Sequence, residues 1–272
     1  MNMKFFLHKV KVAIQYRWRV LWRKIQEIHD RLIFLWLVNA VSQPMDISEK
    51  SAMVFSPHQD DETLGCGGTI ALKRLKNIPV KVVFLTNGQG SHAGHPGITP
   101  EELITIRHQE ALTALNILGV SNLDINFLNY RDGAMRYYAE VKRTEIIEKL
   151  VNLIQAFQPE EIYVPHRQDK SKDHEATYEL VQEAIAISQI QAQVFQYPIW
   201  IIWKSVLFRD LKLEHLAGCR RVSIHPVLNQ KKQAIAAYRS QCEPIAPEKY
   251  VILSPAFLQR FFSPHELFFT EP

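Results

Sequence analysis

The sequence has few cysteines and no long apolar run, and each shortage excludes a class of protein. Its three cysteines, Cys66, Cys219 and Cys242, are widely spaced and form no C-x-x-C pair, so we expect neither a disulfide framework nor a structural zinc site of that kind. Reduced thiols suit a cytoplasmic protein. The longest clean apolar run, 32–38, is much shorter than the roughly 18 residues that a simple transmembrane span requires.

The chain also has little net charge, and what it has is unevenly placed. Residues 1–40 contain eight Lys/Arg and two acidic residues, a charge of +6, so with a total of +4 the remainder carries −2. A main body that is net negative and has no basic face is not expected to bind a phosphate backbone, which excludes nucleic acid as the predicted partner. No Pro-rich or Ser-rich linker divides the 272 residues, so we expect one globular unit behind the basic segment.

Residues 1–45 form a basic leader in which apolar side chains recur at intervals of three and four. This spacing predicts an amphipathic helix. Three interpretations are open: the apolar stripe docks on the body or on a second subunit, the helix lies in a membrane interface through residues 1–40, or the segment is an unusually long signal peptide. The stripe consists of Val10, Ile14, Trp18, Leu21, Ile25, Ile28, Leu32 and Leu35.

Residues 46–272 form the main domain, in which short apolar runs alternate with helical segments. The alternation predicts an α/β fold, namely a Rossmann-like, mostly parallel sheet with helices on both faces. Such sheets bind ligands beyond the carboxyl ends of their strands. The predicted strands are 52–56, 80–86, 124–128, 161–164 and 193–197, and the predicted helices are 62–75, 101–118, 141–157, 175–186 and 229–238.

The segment after residue 199 is harder to order. Trp200, Trp203 and Phe208 indicate a buried or lipid-facing insertion before the helix at 229–238. The sequence alone leaves the path of this segment open.

Ionisable side chains crowd the turn after the first predicted strand of the main domain, in the segment Ser56-Pro57-His58-Gln59-Asp60-Asp61-Glu62. Neighbouring carboxylates repel one another unless a cation is present, and His58 and Asp61 can both face one ion from such a turn. The alternative is an acidic helix cap with no metal, in which Asp60 or Asp61 is the N-cap residue.

A second polar cluster, 165–174, follows the strand predicted at 161–164, and it ends in Asp173 and His174 at the start of a helix. His174 would add a third ligand to His58 and Asp61. Three protein ligands plus water are typical of catalytic zinc, whereas structural zinc has four protein ligands. Taken alone, His174 is better explained as a surface histidine, so the metal prediction depends on the two clusters meeting.

The motifs resemble those of the PIG-L/LmbE-like deacetylases. The segment SPHQDDETLGCGG at 56–68, R-x-x-E at 107–110 and D-x-x-x-D-H at 169–174 are in register with the family over about residues 52–178, and KKQAIAAYRSQ at 231–241 is a weaker match. The resemblance implies a zinc-dependent removal of an N-acetyl group from an N-acetylglucosaminyl-type glycoconjugate.

The resemblance also implies roles for particular residues. Zinc would be held by His58, Asp61 and His174, and Asp60 would be the general base. Arg107 would contact the substrate, and Asp132 would be an acidic sugar-binding residue. Without the resemblance, Arg107 and Glu110 could simply form an i,i+3 ion pair on a helix.

The sequence departs from the family at one position. Many members have a histidine three residues before the last zinc ligand, where this chain has Ser171. A serine can donate a hydrogen bond but cannot supply an imidazolium proton. Three alternatives follow: His166 takes over the proton transfer, Asp60 performs both transfers, or turnover is weak. The candidate catalytic residues are therefore Asp60, Ser171 and His166.

Two other functions compete with the deacetylase. Gly65, Gly67 and Gly68 follow a strand and could indicate a dinucleotide site, but the full G-x-G-x-x-G pattern is absent. A catalytically weak, membrane-associated metal- or sugar-binding protein of the same fold is the main alternative. The deacetylase would be cytoplasmic, or attached to the inner membrane surface through its leader, and it could also form oligomers.

Overall fold

A computed structural model describes residues 3–203 and 212–270, except for the side chains of residues 3–14, 23, 213 and 215. Its main helices are α1 (Met3–Trp36), α2 (Asp61–Leu75), α3 (Pro100–Ile117), α4 (Glu140–Phe157), α5 (Lys172–Ser188) and α6 (Leu228–Ala237), and two single turns follow, α7 (Arg239–Cys242) and α8 (Pro255–Leu258). The strands are β1 (Gln43–Pro44), β2 (Ala52–Ser56), β3 (Val80–Thr86), β4 (Ile125–Tyr130), β5 (Glu161–Pro165), β6 (Gln193–Tyr197), β7 (Cys219–Ser223) and β8 (His265–Phe269).

The eight strands form one sheet in the order β1-β7-β8-β6-β5-β2-β3-β4. The pairs from β6 through β5, β2 and β3 to β4 are all parallel, while β8 runs antiparallel to both β6 and β7. All five residues of β2 and of β5 are buried, as expected for central strands covered on both faces. This confirms the predicted mostly parallel α/β fold.

Alternate side chains of the central strands face two separate cores. Val54 and Phe84 pack with α2, α3 and α6 on one face, and Phe55 and Leu85 pack with α4 and α5 on the other. Helices therefore cover both faces of the sheet, as predicted. The carboxyl ends of β2 and β5, which are neighbours in the sheet, lie at the same edge.

The glycines that follow β2 serve helix packing. Gly65 and Gly68 lie inside α2. A Cβ atom on Gly65 would come within 2.4 Å of the Tyr197 ring, and one on Gly68 within 2.5 Å of the Ile224 side chain. Because these positions are occupied by protein side chains, they are not available to a pyrophosphate. The competing dinucleotide interpretation of Gly65, Gly67 and Gly68 is therefore wrong.

The leader forms the predicted amphipathic helix, α1, but its apolar stripe does not dock on the body. The stripe from Trp18 to Leu35 is exposed, and the residues that bury against the sheet are Ile33, Leu37 and Val38, which pack on Ile202 among others. The side chains of Val10 and Ile14 lie outside the described residues. No helix in the described part of the chain is long and apolar enough to cross a membrane.

The segment that directly follows β6, residues 198–203, is buried or half-buried. Ile201 and Ile202 belong to the cluster that receives the end of α1, and Trp200 stacks against Phe257 with ring centroids 4.5 Å apart. This agrees with a buried insertion for residues 199–203. Phe208, the third aromatic residue of that prediction, lies outside the described residues.

Candidate metal-binding catalytic site

Two loops at the carboxyl edge of the sheet bring the polar clusters together. The loop after β2 carries His58 and Asp60, and α2 begins at Asp61, while the loop after β5 leads into α5, which carries His174 in its first turn. Because β2 and β5 are adjacent and parallel, both loops leave the sheet side by side. The two clusters, which lie more than a hundred residues apart in sequence, therefore form one site.

His58, Asp61 and His174 point at a common centre. Asp61 Oδ2 lies 3.1 Å from His58 Nδ1 and 3.1 Å from His174 Nε2. One ligand atom from each of the three residues lies within 4.8 Å of the other two. His174 is fully buried, and its Nε2 has no partner that meets hydrogen-bond geometry, so this atom is available to a metal ion. Two nitrogens and one carboxylate oxygen are a ligand set that suits zinc.

Each of the two histidines is oriented by further carboxylates. Asp169 Oδ2 lies 2.8 Å from His174 Nδ1, while its Oδ1 accepts hydrogen bonds from three consecutive backbone N–H groups, 199–201. Asp132 and Asp173 lie 3.1 Å and 3.2 Å from His58 Nε2. A carboxylate behind a ligating histidine fixes the ring and its tautomer and makes the nitrogen a better donor.

The electrostatics of this centre favour a positive charge. Burial alone would lower the pKa of His174, but Asp61 and Asp169 outweigh it and raise that pKa to about 9. Burial would likewise raise the pKa of Asp61, but the two histidines hold it well below its usual range. An arrangement that stabilises a proton between these groups also stabilises a metal cation in its place. The residues present therefore fit a divalent ion.

Asp60 is buried beside the three candidate ligands, in an unusual backbone conformation. Its φ is 142° and its ψ is −32°, a region that residues other than glycine rarely adopt. Its N–H donates to Glu62 at 3.0 Å, and its Oδ2 lies 3.2 Å from Arg107. Burial raises the pKa of Asp60 to about 7, against the opposing effect of Arg107. Backbone strain that the surroundings hold in place is typical of functional sites.

The site opens into a cavity of about 460 Å³. Arg107 also donates a hydrogen bond to the carbonyl of Gln59, so it braces the loop that carries Asp60. The cavity wall includes six of the eight site residues predicted from the sequence. Those that line it directly are His58, Asp60, Asp61, Arg107, Asp132 and Ser171, while the buried His174 reaches the centre through its Nε2.

His166 is the predicted site residue that does not line this cavity. It is buried, its ring packs edge-on against Phe269 at 5.0 Å, and its Nδ1 accepts the N–H of Gln168 at 3.1 Å. Lys170 lies at the cavity wall beside Ser171, in a left-handed conformation with φ of 58°. The structure thus places Ser171 and Lys170, and not His166, in the position from which a side chain would face a bound molecule.

Several supporting residues were missed from the sequence. Asp169 was only part of a motif, and its role in holding His174 depends on a loop geometry that the sequence does not reveal. Tyr238 donates to Glu62, and Glu110 accepts from Ser240 N and Oγ at 2.6 and 2.7 Å. Glu110 is therefore held by Ser240, where the sequence had suggested an ion pair with Arg107. The weaker motif at 231–241 was the signal for these contacts.

These observations define an α/β protein with a His-Asp-His group that could hold a metal ion at the carboxyl edge of its sheet. Residues 53–185 match the PIG-L family, described as GlcNAc-PI de-N-acetylase, and the chain belongs to the PIG-L/LmbE-like deacetylase family.

Individual relatives support the family and show its range. A Bacillus anthracis protein named probable N-acetyl-alpha-D-glucosaminyl L-malate deacetylase 2 is 34% identical over 51% of this chain and 61% of its own length. A Pseudomonas putida protein named 4-oxalmesaconate hydratase is 29% identical over 54% of this chain and 56% of its own. The chain thus matches less than two thirds of each.

The fold is shared with N,N'-diacetylchitobiose deacetylase from Pyrococcus horikoshii. The TM-score is 0.62 at 24% identity, and the match covers 82% of this chain and 84% of the other. At this identity the likeness concerns the fold. It covers more of the chain than the 53–185 segment.

Proposed function

We propose that this chain is a zinc-dependent hydrolase that removes the N-acetyl group from an N-acetylglucosaminyl-type glycoconjugate. The observation that carries the proposal is the meeting of His58, Asp61 and His174 beside the buried Asp60 at the floor of one cavity. The name of the Bacillus anthracis relative supplies the substrate class by analogy.

Zinc is the metal that this ligand set suits best, and His58, Asp61 and His174 would hold it. Two histidines and one carboxylate leave a position open for water, as catalytic zinc sites do. Bound there, zinc would supply a Lewis acid that lowers the pKa of a water molecule and polarises the acetyl carbonyl. Asp169, Asp132 and Asp173 would keep the two imidazole rings oriented.

The remaining residues perform the proton transfers and position the substrate. Asp60 accepts a proton from the attacking water as its oxygen adds to the acetyl carbon. The C–N bond then breaks, and Asp60 returns the proton to the amine nitrogen, so the products are acetate and the free amino sugar. Arg107 keeps the Asp60 carboxylate in place. Ser171 donates a hydrogen bond to the developing oxyanion, and Asp132 accepts from sugar hydroxyl groups at the cavity wall.

The test is acetate release from N-acetylglucosaminyl compounds of different aglycone, such as an organic acid, an inositol or a second sugar, with zinc added to the protein. We expect acetate and free amine to form in equal amounts from at least one of these compounds. Absence of both products from every compound, with a metal-loaded and folded protein, would overturn the proposal. A hydratase, as the Pseudomonas putida relative is named, would release no acetate.

A second candidate is a metal- or sugar-binding protein of this fold with little or no turnover. One specific observation favours it: the cavity wall carries Ser171, where the family resemblance implies a histidine, and His166 lies off the cavity. Binding of an amino sugar to the zinc-loaded protein without acetate release would support this candidate.

Ser171 provides the experiment that separates the two candidates. If its hydroxyl stabilises the oxyanion, Ser171→Ala should lower turnover roughly 10- to 1000-fold, the range typical of losing one such donor. Ser171→His should retain or raise turnover. Steady-state acetate release at saturating substrate measures both effects. An unchanged rate in Ser171→Ala combined with a large gain in Ser171→His would mean that the natural site is degenerate.

His166 is the control for that experiment. Because its ring packs against Phe269 outside the cavity, we expect His166→Asn to lower the melting temperature while the pH dependence of turnover keeps its shape. Loss of the alkaline limb of the pH–rate profile in His166→Asn would instead show that this histidine donates the proton.

Asp169 offers a test of how His174 is held. Asp169→Asn keeps the size of the side chain but removes the charge behind His174 Nδ1, so we expect zinc affinity to fall about 10- to 100-fold. Competition with a chromophoric chelator measures the affinity. Asp124→Asn, a change of the same kind at a half-exposed position next to Lys81, is the control and should leave zinc affinity unchanged. Equal affinities for Asp169→Asn and the natural protein would contradict this role.

A further inference from the structure

The apolar face of α1 is exposed over most of its length. Seven of the apolar side chains between Trp18 and Leu35 are 43–60% exposed, which is unusual for a row of large residues on one helix. The row spans 17 residue steps, or about 26 Å at the rise of an α-helix. We call it the α1 stripe, and it consists of Trp18, Leu21, Trp22, Ile25, Ile28, Leu32 and Leu35.

The stripe lies on the side of α1 that faces away from the body. The helix docks through Asp30 and Ile33, which are buried, and the exposed Gln26 lines a groove beside them. At 100° per residue, Asp30 lies about 140–180° around the helix from Leu21, Ile25 and Leu32, and Ile33 lies about 80–120° from them. The body therefore cannot cover the stripe by a small adjustment of the helix.

The charges on α1 indicate what covers the stripe. Arg17, Lys24 and Arg31 are exposed and recur every seven residues, so they form a row along one edge of the stripe. The acidic residues of the helix, Glu27 and Asp30, line the groove on the docked side. The exposed side thus combines large apolar residues, two tryptophans and basic residues without acidic ones. A second copy would bring like charges together, whereas anionic headgroups complement them.

We propose that α1 is a membrane-interface helix that binds the protein to an anionic lipid surface through the α1 stripe. Tryptophans favour the boundary between headgroups and acyl chains, and basic side chains beside an apolar face contact anionic headgroups. A helix with an apolar face beside a basic face lies in the plane of the interface, with the apolar face toward the acyl chains.

Membrane binding would hold the catalytic cavity close to the lipid surface. Trp200 and Ile252 line both that cavity and a second groove of about 620 Å³, whose other wall is formed by α1 at Gln26, Glu27 and Asp30. Only one layer of side chains therefore separates α1 from the site. On the proposed function, the substrate that suits this arrangement is an amino sugar attached to a membrane component.

The full-length chain with three changes in the stripe, Leu21→Glu, Ile25→Glu and Ile28→Glu, tests the inference. Vesicles of about 70% phosphatidylcholine and 30% phosphatidylglycerol serve as the probe, with co-sedimentation as the readout. We expect the natural chain to bind, to lose most of this binding when salt rises from about 0.05 to 0.5 M, and to bind vesicles of phosphatidylcholine alone much more weakly. The stripe variant should lose binding at least about tenfold.

A matched control carries the same change of charge on the body. Leu75, Leu123 and Ile187 are exposed apolar residues outside α1, so Leu75→Glu, Leu123→Glu and Ile187→Glu together lower the net charge by as much as the stripe variant does. Apart from the electrostatic repulsion that this charge causes in both variants, the control should bind vesicles within about twofold of the natural chain.

Replacing Arg17, Lys24 and Arg31 by alanine should weaken binding to anionic vesicles roughly 100-fold at low salt, since each basic residue contributes about 1 kcal/mol there.

Two results would overturn the inference. One is no binding of the natural chain to anionic vesicles. The other is a dimer in analytical ultracentrifugation that dissociates in the stripe variant while vesicle binding is unaffected, which would make the stripe a contact between copies. Vesicle binding is measured without any substrate, so it tests the membrane proposal independently of catalysis. Failure of the deacetylase proposal would instead be seen as no acetate release from any soluble conjugate.

Discussion

We expect Asp60→Asn to lower turnover by about 100- to 10,000-fold while the protein keeps its fold and its zinc. The asparagine amide cannot accept the proton of the attacking water, and the loss of a general base typically costs this much. Its side-chain oxygen can still accept from Arg107, and asparagine tolerates positive φ better than most residues, so the strained loop should survive the change. Acetate release at saturating substrate, beside zinc content and melting temperature, measures the effect.

The control for Asp60→Asn is Asp46→Asn, which removes a carboxylate before β2, away from the cavity, and should change none of these quantities. Asp60→Glu, which keeps a carboxylate but moves it, should retain more activity than Asp60→Asn. If Asp60→Asn turned over at a rate near that of the natural protein, Asp60 would not be the base, and another group at the cavity would have to accept the proton.

Removal of a metal ligand should have the other large effect. His174→Gln takes away one of three donors from a fully buried position, so we expect zinc affinity to fall by more than the roughly 10- to 100-fold typical of losing a supporting residue. Turnover should fall in parallel with bound zinc. Glutamine preserves most of the side-chain volume, which limits the cost of a cavity. Chelator competition gives the affinity, and circular dichroism establishes that the variant is folded.

His166 again provides the comparison, because it is an equally buried histidine that follows the same strand but lies away from the three donors. His166→Asn should bind zinc like the natural protein. Should His174→Gln hold one equivalent of zinc with undiminished affinity, the metal would have to lie elsewhere. The other group that could hold a metal ion, His58 with Asp132 and Asp173, would then be the candidate site.

The parallel part of the sheet could be predicted closely because its strands are buried on both faces. Strands 52–56, 80–86 and 193–197 have the predicted bounds, and the helices between them differ by a few residues at most at either end. Fully buried strands have continuous apolar runs bounded by turn residues, which is a strong local signal.

The other side of the sheet was not predicted. In β7, Cys219–Ser223, two consecutive arginines stand between the buried residues, and β8, His265–Phe269, has a charged residue beside aromatic ones. β8 is antiparallel and stands between β7 and β6, so its place depends on pairings between distant segments. The buried Glu266, which accepts from Thr69 N at 2.8 Å and pairs with Lys231, would read as an exposed residue from sequence alone.

The candidate site could be assembled from the sequence only as two motifs at strand ends. The adjacency of β2 and β5 brings His58 and His174 together, and a single sequence does not specify strand order. The contacts that support Asp60 and Glu62 could not be predicted from the sequence for the same reason. Tyr238, which donates a hydrogen bond to Glu62, is 176 residues away in the sequence. His166 illustrates the converse, because closeness in sequence to Ser171 and His174 did not place it at the cavity.

The most direct test of the deacetylase is a zinc titration of the metal-free protein with acetate release as the readout. We expect activity on an N-acetylglucosaminyl conjugate to rise in proportion to added zinc and to level off at about one equivalent, because His58, Asp61 and His174 form one site. The His174→Gln protein should show no such rise at the same zinc concentrations. Acetate release that is already full without metal, or that zinc does not restore to a folded metal-free protein, would contradict the account.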